Sequence, residues 1–324
     1  MQDKASSLTG KDHPFPDVLR IEPSGACNFC CVHCTTGNAN VAHSPYARGL
    51  LTEHTFSLIL QQLKRHDFTP RVVVLYHGGE PLLNKKITSF IKELKGLGIN
   101  KIKIVTNGSL LTEEMSTKLH QVLTADDELE ISFDGLSPQE NDWIRRNGNF
   151  ARDSKSALFF LMHPSRRCNV MISNVQILSA VELERFFAGE TLKIPDYLLK
   201  AFGENVTKYS SFPAMKWPVM PNYLKTFKNI RDTSKCTYCT ALFETFSILS
   251  NGNVVPCCYD IAGSTVFGNI HQSTIFDIWK SPSFVYFREN ILNSKPNPIC
   301  SNCKLFSKEY LILHPEGVYE KIRN

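Results

Sequence analysis

Residues 27 to 34 read CNFCCVHC, four cysteines within eight positions near the start of a 324-residue chain. Thiolates are soft donors, and three of them on one short loop suit an iron-sulfur cubane, which has four irons to ligate. Cys27, Cys31 and Cys34 have the spacing C-x3-C-x2-C, with Cys30 an extra thiol between them. Three protein ligands leave one iron open to a substrate or cofactor. Zinc is the alternative on these residues alone, with His33 or His43 as a fourth ligand.

A second group lies far along the chain. Cys236, Cys239, Cys257, Cys258, Cys300 and Cys303 make six of the eleven cysteines. Two of the pairs are C-x2-C, a spacing that a zinc ribbon shares with a cluster site. Cys168 stands alone and is expected to pack as a small apolar residue.

The elements that must position these thiols can be read from periodicity. Apolar, β-branched runs at 18–23, 71–76, 101–106, 129–133, 170–177 and 206–212 predict strands. Between them TEHTFSLILQQLKRH, KKITSFIKELKGLG, TEEMSTKLHQVL and SKSALFFLM carry helix periodicity, two of them opened by a threonine suited to N-capping. Strands alternating with helices imply an α/β fold with a parallel sheet, curved into a partial barrel. Ligands of such sheets sit beyond the carboxyl ends of the strands. CNFCCVHC follows the first strand, HGGEP the second, NGS the third and DG the fourth, so all four line one mouth.

After about residue 215 the alternation lapses into the Pro- and aromatic-rich MKWPVMPNY. The expected division is therefore an N-terminal extension over 1–16, a barrel over 17–215 and a smaller domain over 216–324. With 42% hydrophobic and 21% charged residues the chain can bury a substantial core. A net charge of +5 without a Lys/Arg block leaves no footprint for nucleic acid. No apolar run resembles a signal peptide or spans a bilayer, so the cytoplasm is the expected location and no membrane partner is expected. In that reducing compartment the cysteines are read as ligands, not disulfides.

In this order the loop, HGGEP, TNG and SFDG resemble the radical S-adenosylmethionine (radical SAM) superfamily. The resemblance implies a partial (β/α)6 barrel and a [4Fe-4S] cluster on Cys27, Cys31 and Cys34, its open iron chelated by the amino and carboxylate groups of S-adenosylmethionine. Gly78 and Gly79 would allow close backbone approach, Glu80 would accept from the ligand's ammonium group and Pro81 would stiffen the turn. By the same resemblance His33 lies beside the adenine, and Ser132, Asp134 and Asn107 reach ribose or the methionyl part. Arg145, with Arg146 next to it, resembles the family's carboxylate-binding arginine.

The segment from Cys239 onward resembles the auxiliary-cluster domain of these enzymes, called SPASM in full form and twitch when abbreviated. Phe243 and Gly252 fall where that pattern wants them when counted from Cys239. Cys239, Cys257, Cys300 and Cys303 are then the favoured ligands, with Cys236 as the alternative to Cys239. No cysteine follows Cys303, so one auxiliary [4Fe-4S] cluster is expected.

The implied activity is reductive cleavage of S-adenosylmethionine to a 5′-deoxyadenosyl radical, which takes a hydrogen atom from a substrate. A flavodoxin- or ferredoxin-type protein would supply the electron. Only 26 residues precede Cys27, which favours a small molecule of the sugar, cyclitol or aminoglycoside type, oxidised or epimerised, over a ribosomally made peptide. Cys258, beside a cluster ligand, is the candidate hydrogen donor for epimerisation. From other classes, an iron-sulfur electron carrier and a zinc-stabilised binding module stay open.

Overall fold

The hydrophobic periods fold as β–α repeats and then as a mixed tail that returns to the same sheet. The computed structural model describes residues 13–36, 48–218, 227–231, 238–301, 303 and 309–313. In chain order the elements of the first part are β1 (Val18–Ile21), α1 (Glu53–Arg65), β2 (Val72–Leu75), α2 (Ile87–Gly96), β3 (Ile102–Thr106), α3 (Glu113–Val122), β4 (Glu128–Asp134), α4 (Pro138–Ile144), α5 (Phe150–Leu161), β5 (Asn169–Gln176), α6 (Ala180–Phe187), α7 (Asp196–Phe202) and β6 (Lys208–Pro213). The tail adds β7 (Phe227–Arg231), α8 (Thr240–Phe243), β8 (Thr245–Ile248), β9 (Asn253–Val255), β10 (Gly268–Asn269), α9 (Ile275–Trp279), α10 (Pro282–Leu292), α11 (Pro298–Ser301) and β11 (Glu309–Leu313). All six predicted strands are present. Both predicted threonine caps form: Thr52 accepts from the Thr55 amide at 3.1 Å and Thr112 from that of Met115 at 3.2 Å.

Nine strands make one sheet in the order β10-β9-β8-β1-β2-β3-β4-β5-β6. From β8 through β1 to β6 every pairing is parallel, and β9 and β10 are added antiparallel. β7 and β11 pair antiparallel in a separate ribbon. β1 and β6 are not neighbours in the sheet, yet Arg20 and Phe212 line one cavity, so the sheet curves into an open barrel.

Each strand shows its two faces differently. Leu19, Ile21, Val73, Leu75, Ile102, Ile104, Leu129, Ile131, Val170 and Ile172 point outward into the core beneath the helices. Each such side chain stabilises the fold by roughly 2 kcal/mol through burial. The alternate positions Arg20, Val74, Lys103, Val105, Glu130, Ser132, Ser173 and Val175 face the barrel lumen.

The sheet crosses the boundary placed at residue 216. β8 runs in register with β1, Val18 opposite Thr245 and Ile21 opposite Ile248. The turn between β8 and β9 holds Gly252 at φ +84°, where a side chain would be strained and would meet the His271 ring. The N-terminal extension is tied to the same tail: Trp279, almost fully buried, donates its indole N–H to the His13 carbonyl at 3.1 Å. Cys168 sits in the main core, as expected of a small apolar residue. Among the described residues no helix is long and apolar enough to cross a membrane.

A chain ending at Lys216 would lose β8 and expose the edge of β1, a ready template for aggregation. We expect that fragment to be insoluble, checked by its soluble fraction and circular dichroism. A soluble, folded fragment would show that β1 does not need its tail-derived neighbour.

Candidate active site

The carboxyl ends of β1 to β4 bring the sequence-predicted residues together. The loop after β1 carries Cys27, Cys31 and Cys34, whose thiols lie close enough that charge on one raises the pKa of another. Burial raises Cys27 to about 12 and Cys31 well above the ordinary thiol range. Thiols of this kind ionise when a metal takes the proton's place. Cys30 faces elsewhere: its amide bonds the Arg146 carbonyl at 2.9 Å and its sulfur accepts from Asn147 Nδ2 at 3.4 Å.

The HGGEP loop lies directly beneath. A Cβ on Gly79 would stand 2.3 Å from the main-chain oxygens of Ser24 and Ala26, so only glycine lets the two loops touch. Glu80 donates its amide to the Ala26 carbonyl at 2.8 Å. Its buried carboxylate accepts from Leu82 N at 3.0 Å, Thr106 Oγ1 at 2.7 Å and Asn107 N at 2.8 Å. Burial raises the Glu80 pKa and these hydrogen bonds oppose it. Glu80 thus acts as a strut that fixes the end of β3, and Pro81 opens the short 3-10 turn beside it. Asn107 Nδ2 in turn donates to Asn28 Oδ1 at 2.8 Å, reaching back into the cysteine loop.

Asp134, at the end of β4, accepts from Arg145 Nη1 at 2.9 Å and lies 3.3 Å from His33 Nε2. Burial would raise its pKa, but Arg145 and then His33 outweigh it and hold the carboxyl at about 2. The Arg145 guanidinium also lies 5.4 Å from the Phe29 ring centroid and is buried, whereas Arg146 is exposed. Arg145 is therefore the inward-facing member of that pair. Among the described residues His33 Nδ1 is buried with no hydrogen-bond partner, and His33 lines the lumen together with Ser132.

The second cysteine group converges as well. Cys239, Cys257, Cys300 and Cys303 line one recess with Leu242, Tyr259 and Asp260. Burial raises Cys257 and Cys300, and each lies near enough to Cys239 and Cys303 to be raised further. Cys258 does not line that recess. It raises, together with Cys34, the pKa of Tyr76, whose ring lines the lumen. Cys236 and His43 lie outside the described residues.

Residues 21–157 match the model of the radical SAM superfamily, and residues 239–304 that of SPASM, an iron-sulfur cluster-binding domain. The chain belongs to the radical SAM superfamily and carries a SPASM domain. Among curated relatives it is 30% identical over 156 residues to GTP 3',8-cyclase of Peptoclostridium acidaminophilum, covering 47% of this chain and 44% of that one. It is 30% identical over 135 residues to the mycofactocin maturase MftC of Mycobacterium tuberculosis, covering 42% and 32%. The chain thus spans less than half the length of either relative. Two solved structures share its fold at 17% identity. BtrN in complex with AdoMet and 2-DOIA covers 90% of this chain and 93% of that one with a TM-score of 0.55. Streptococcus suis SuiB bound to S-adenosylmethionine covers 90% and 73% with a TM-score of 0.61.

As a radical SAM protein the chain is an enzyme whose cofactors are S-adenosylmethionine, a [4Fe-4S] cluster and auxiliary iron-sulfur chemistry in the SPASM domain. The residues present fit these groups. Three converging half-buried thiols suit the first cluster, four thiols around one recess suit the second, and His33 Nδ1, without a partner among the described residues, offers a hydrogen bond to a ligand.

Sequence reasoning missed the residue that joins these loops. Arg48 Nε and Nη2 each bond a Glu22 carboxylate oxygen at 2.8 Å, a bidentate pair buried at the end of β1. His77, also unremarked, holds the Asp260 carbonyl at 3.0 Å through Nε2, and burial lowers its pKa, keeping the ring neutral. The luminal Arg20, Lys103 and Glu130 were legible as polar alternation in strands that a fully buried sheet would keep apolar.

Replacing Cys27, Cys31 or Cys34 by alanine should abolish 5′-deoxyadenosine formation and remove the cluster's absorbance, while Cys30→Ala should keep both. Retained activity in any of the first three, or cluster loss in the fourth, would show that the ligand set is different.

Asp134 has a depressed folded pKa, so it contributes stability above the unfolded carboxylate value near 3.9 and loses it as pH falls toward about 2. Asp134→Asn leaves Arg145 buried without its counter-charge and should cost about 3 kcal/mol at pH 7, with a smaller penalty at pH 3. Urea denaturation at the two pH values measures this, and an equal penalty at both would contradict the assigned ion pair.

Proposed function

We propose that this radical SAM enzyme abstracts a hydrogen atom from a polar small molecule of the sugar, cyclitol or aminoglycoside type held in the barrel lumen, leading to oxidation or epimerisation. When bound, the cofactors supply reductive cleavage of S-adenosylmethionine to a 5′-deoxyadenosyl radical that can attack an unactivated C–H bond. The chain's part is to hold the groups, orient the substrate and exclude water. Cys27, Cys31 and Cys34 ligate the first cluster, and Cys239, Cys257, Cys300 and Cys303 the single auxiliary one, with Cys236 the alternative to Cys239. Gly78, Gly79, Glu80 and Pro81 shape the S-adenosylmethionine loop, with His33, Asn107, Ser132, Asp134 and Arg145 around it. The barrel over 17–215 and the auxiliary domain over 216–324 act in the cytoplasm with a flavodoxin- or ferredoxin-type donor.

The lining of the lumen carries the substrate reading. Its volume of about 390 Å³ is that of a small-molecule site. Arg20, Lys103, Glu130, Ser132 and Ser173 offer charged and hydroxyl partners, and among the described residues Arg20 Nε is buried without one. A hydroxylated substrate can pair with such groups, whereas an apolar side chain would leave them unpaired. Modification of a ribosomally made peptide is the second reading, supported by Phe212, which lies 46% exposed on the open edge strand β6 at the lumen wall. Streptococcus suis SuiB, of the same fold, was solved with precursor peptide SuiA.

Cys258, adjacent to the ligand Cys257, is proposed to return hydrogen to the substrate. Its S–H bond breaks as a C–H bond forms on the opposite face. The thiyl radical left behind takes one electron from the flavodoxin- or ferredoxin-type donor and one proton from solvent, which restores the thiol.

The test is reduced enzyme with S-adenosylmethionine in deuterated water, offered sugars, cyclitols, aminoglycosides and short peptides. A polar small molecule should raise 5′-deoxyadenosine formation and leave with one solvent deuterium, which Cys258→Ser should fail to install. Stimulation by a peptide alone would overturn the substrate class. Unlabelled product from an unimpaired variant would overturn the donor role and leave oxidation. Absence of 5′-deoxyadenosine under all conditions would favour an electron carrier.

A further inference from the structure

Arg48 stands where three loops meet, and nothing in the ligand assignments accounts for it. Besides its two bonds to Glu22, Nη1 donates to the Ala262 carbonyl at 3.0 Å and Nη2 to that of Ile261 at 2.8 Å. Its side chain is only 6% exposed. Glu22 accepts in turn from the Gly78 amide at 3.3 Å and from Ser250 N and Oγ at 3.0 and 3.1 Å. A Cβ on Gly78 would stand 3.2 Å from both Arg48 Nη2 and Ile261 Cγ2. The neighbouring His77 bonds the Asp260 carbonyl. Three successive main-chain carbonyls just beyond Cys257 are therefore fastened to the HGG loop and to the strand end that launches Cys27.

We propose that Arg48 is a positioning residue that couples the two cluster sites, so that an ordered auxiliary loop tightens S-adenosylmethionine binding at the other. The proposal rests on the reading that Cys257 ligates the auxiliary cluster and that the HGG loop contacts S-adenosylmethionine. Loss of the Cys257 ligand frees the start of a loop whose other end, at residues 260–262, is gripped by His77 and Arg48. Slack there passes through the guanidinium fork to Glu22 and to the Gly78 amide. The fork matters: one planar group makes two carboxylate bonds and two carbonyl bonds at once, which the single ammonium of lysine cannot reproduce. Burial alone would raise the Glu22 pKa, and the Arg48 pair outweighs it, so the carboxylate is charged when it accepts these bonds. Coupling of this kind must be reciprocal in binding free energy.

The experiment is a double-mutant cycle on anaerobically purified, oxidised holoenzyme, reading the S-adenosylmethionine dissociation constant by equilibrium dialysis and iron per chain alongside it. In the wild-type background Cys257→Ala should remove about half of the iron and weaken binding about tenfold, within the usual range of coupling. In Arg48→Lys the same Cys257→Ala change should have no further effect on binding. Glu22→Gln, which keeps the side chain's shape, provides a second background with the same expected loss of coupling should Arg48→Lys fail to fold. Unchanged affinity in iron-depleted Cys257→Ala overturns the coupling while leaving the cluster assignment intact. A tenfold loss that persists in both backgrounds assigns the route to the β8–β1 pairing and overturns the role of Arg48. Full iron in Cys257→Ala overturns the cluster assignment, and the proposal with it.

Discussion

A buried ion pair at the end of β1 governs this molecule. Taking Glu22 and Arg48 out of water is costly, and such a pair persists only where further hydrogen bonds satisfy both groups. Here they do: the carboxylate also receives Gly78 and Ser250, and the guanidinium also reaches Ile261 and Ala262. Each added partner belongs to a different functional segment. The cysteine loop, the HGG loop, the β8–β9 turn and the segment after Cys257 consequently have one common reference point. Removing either charge would strand the other in the interior, a larger loss than the pair itself contributes.

Around that point the sheet separates two environments by its own pleat. Outward positions of β1 to β5 are aliphatic and pack beneath the helices, while inward positions carry Arg20, Lys103, Glu130, Ser132 and Ser173. Lys103 lies 2.7 Å from both Glu128 and Glu130, whereas Arg20 has no carboxylate within ion-pair distance among the described residues. The lumen thus mixes these charged and hydroxyl groups with apolar wall residues such as Val74, Val105, Val175 and Phe212. Trp217 links the lumen to the cysteine loop, lining the one while its indole N–H bonds the His33 carbonyl at 2.9 Å.

The strands, their order and the thiols that converge were legible because each rests on local pattern: period two in the strands, period three to four in the helices, and fixed short spacings in the loops. Spacing set Cys31 above Cys30 as the expected ligand, and in the structure Cys30 accepts from Asn147. What escaped has no local signature. Arg48 meets carbonyls more than 200 positions away, and β8 joins β1 from a similar distance. Glu22 reads as the polar end of a strand until its partners are known. The alternation of charge with aliphatics in KIKIVT and LEISF was visible, but which face it gives to a lumen depends on the curvature of the whole sheet, which no local pattern records.

The central claim is that Cys27, Cys31 and Cys34 present a cluster whose open iron binds S-adenosylmethionine directly. Electron–nuclear double resonance on the reduced Cys257→Ala enzyme isolates that cluster, with S-adenosylmethionine carrying nitrogen-15 in its amino group. The account predicts a strong nitrogen coupling to the cluster. A reduced cluster with bound S-adenosylmethionine and no such coupling would contradict it.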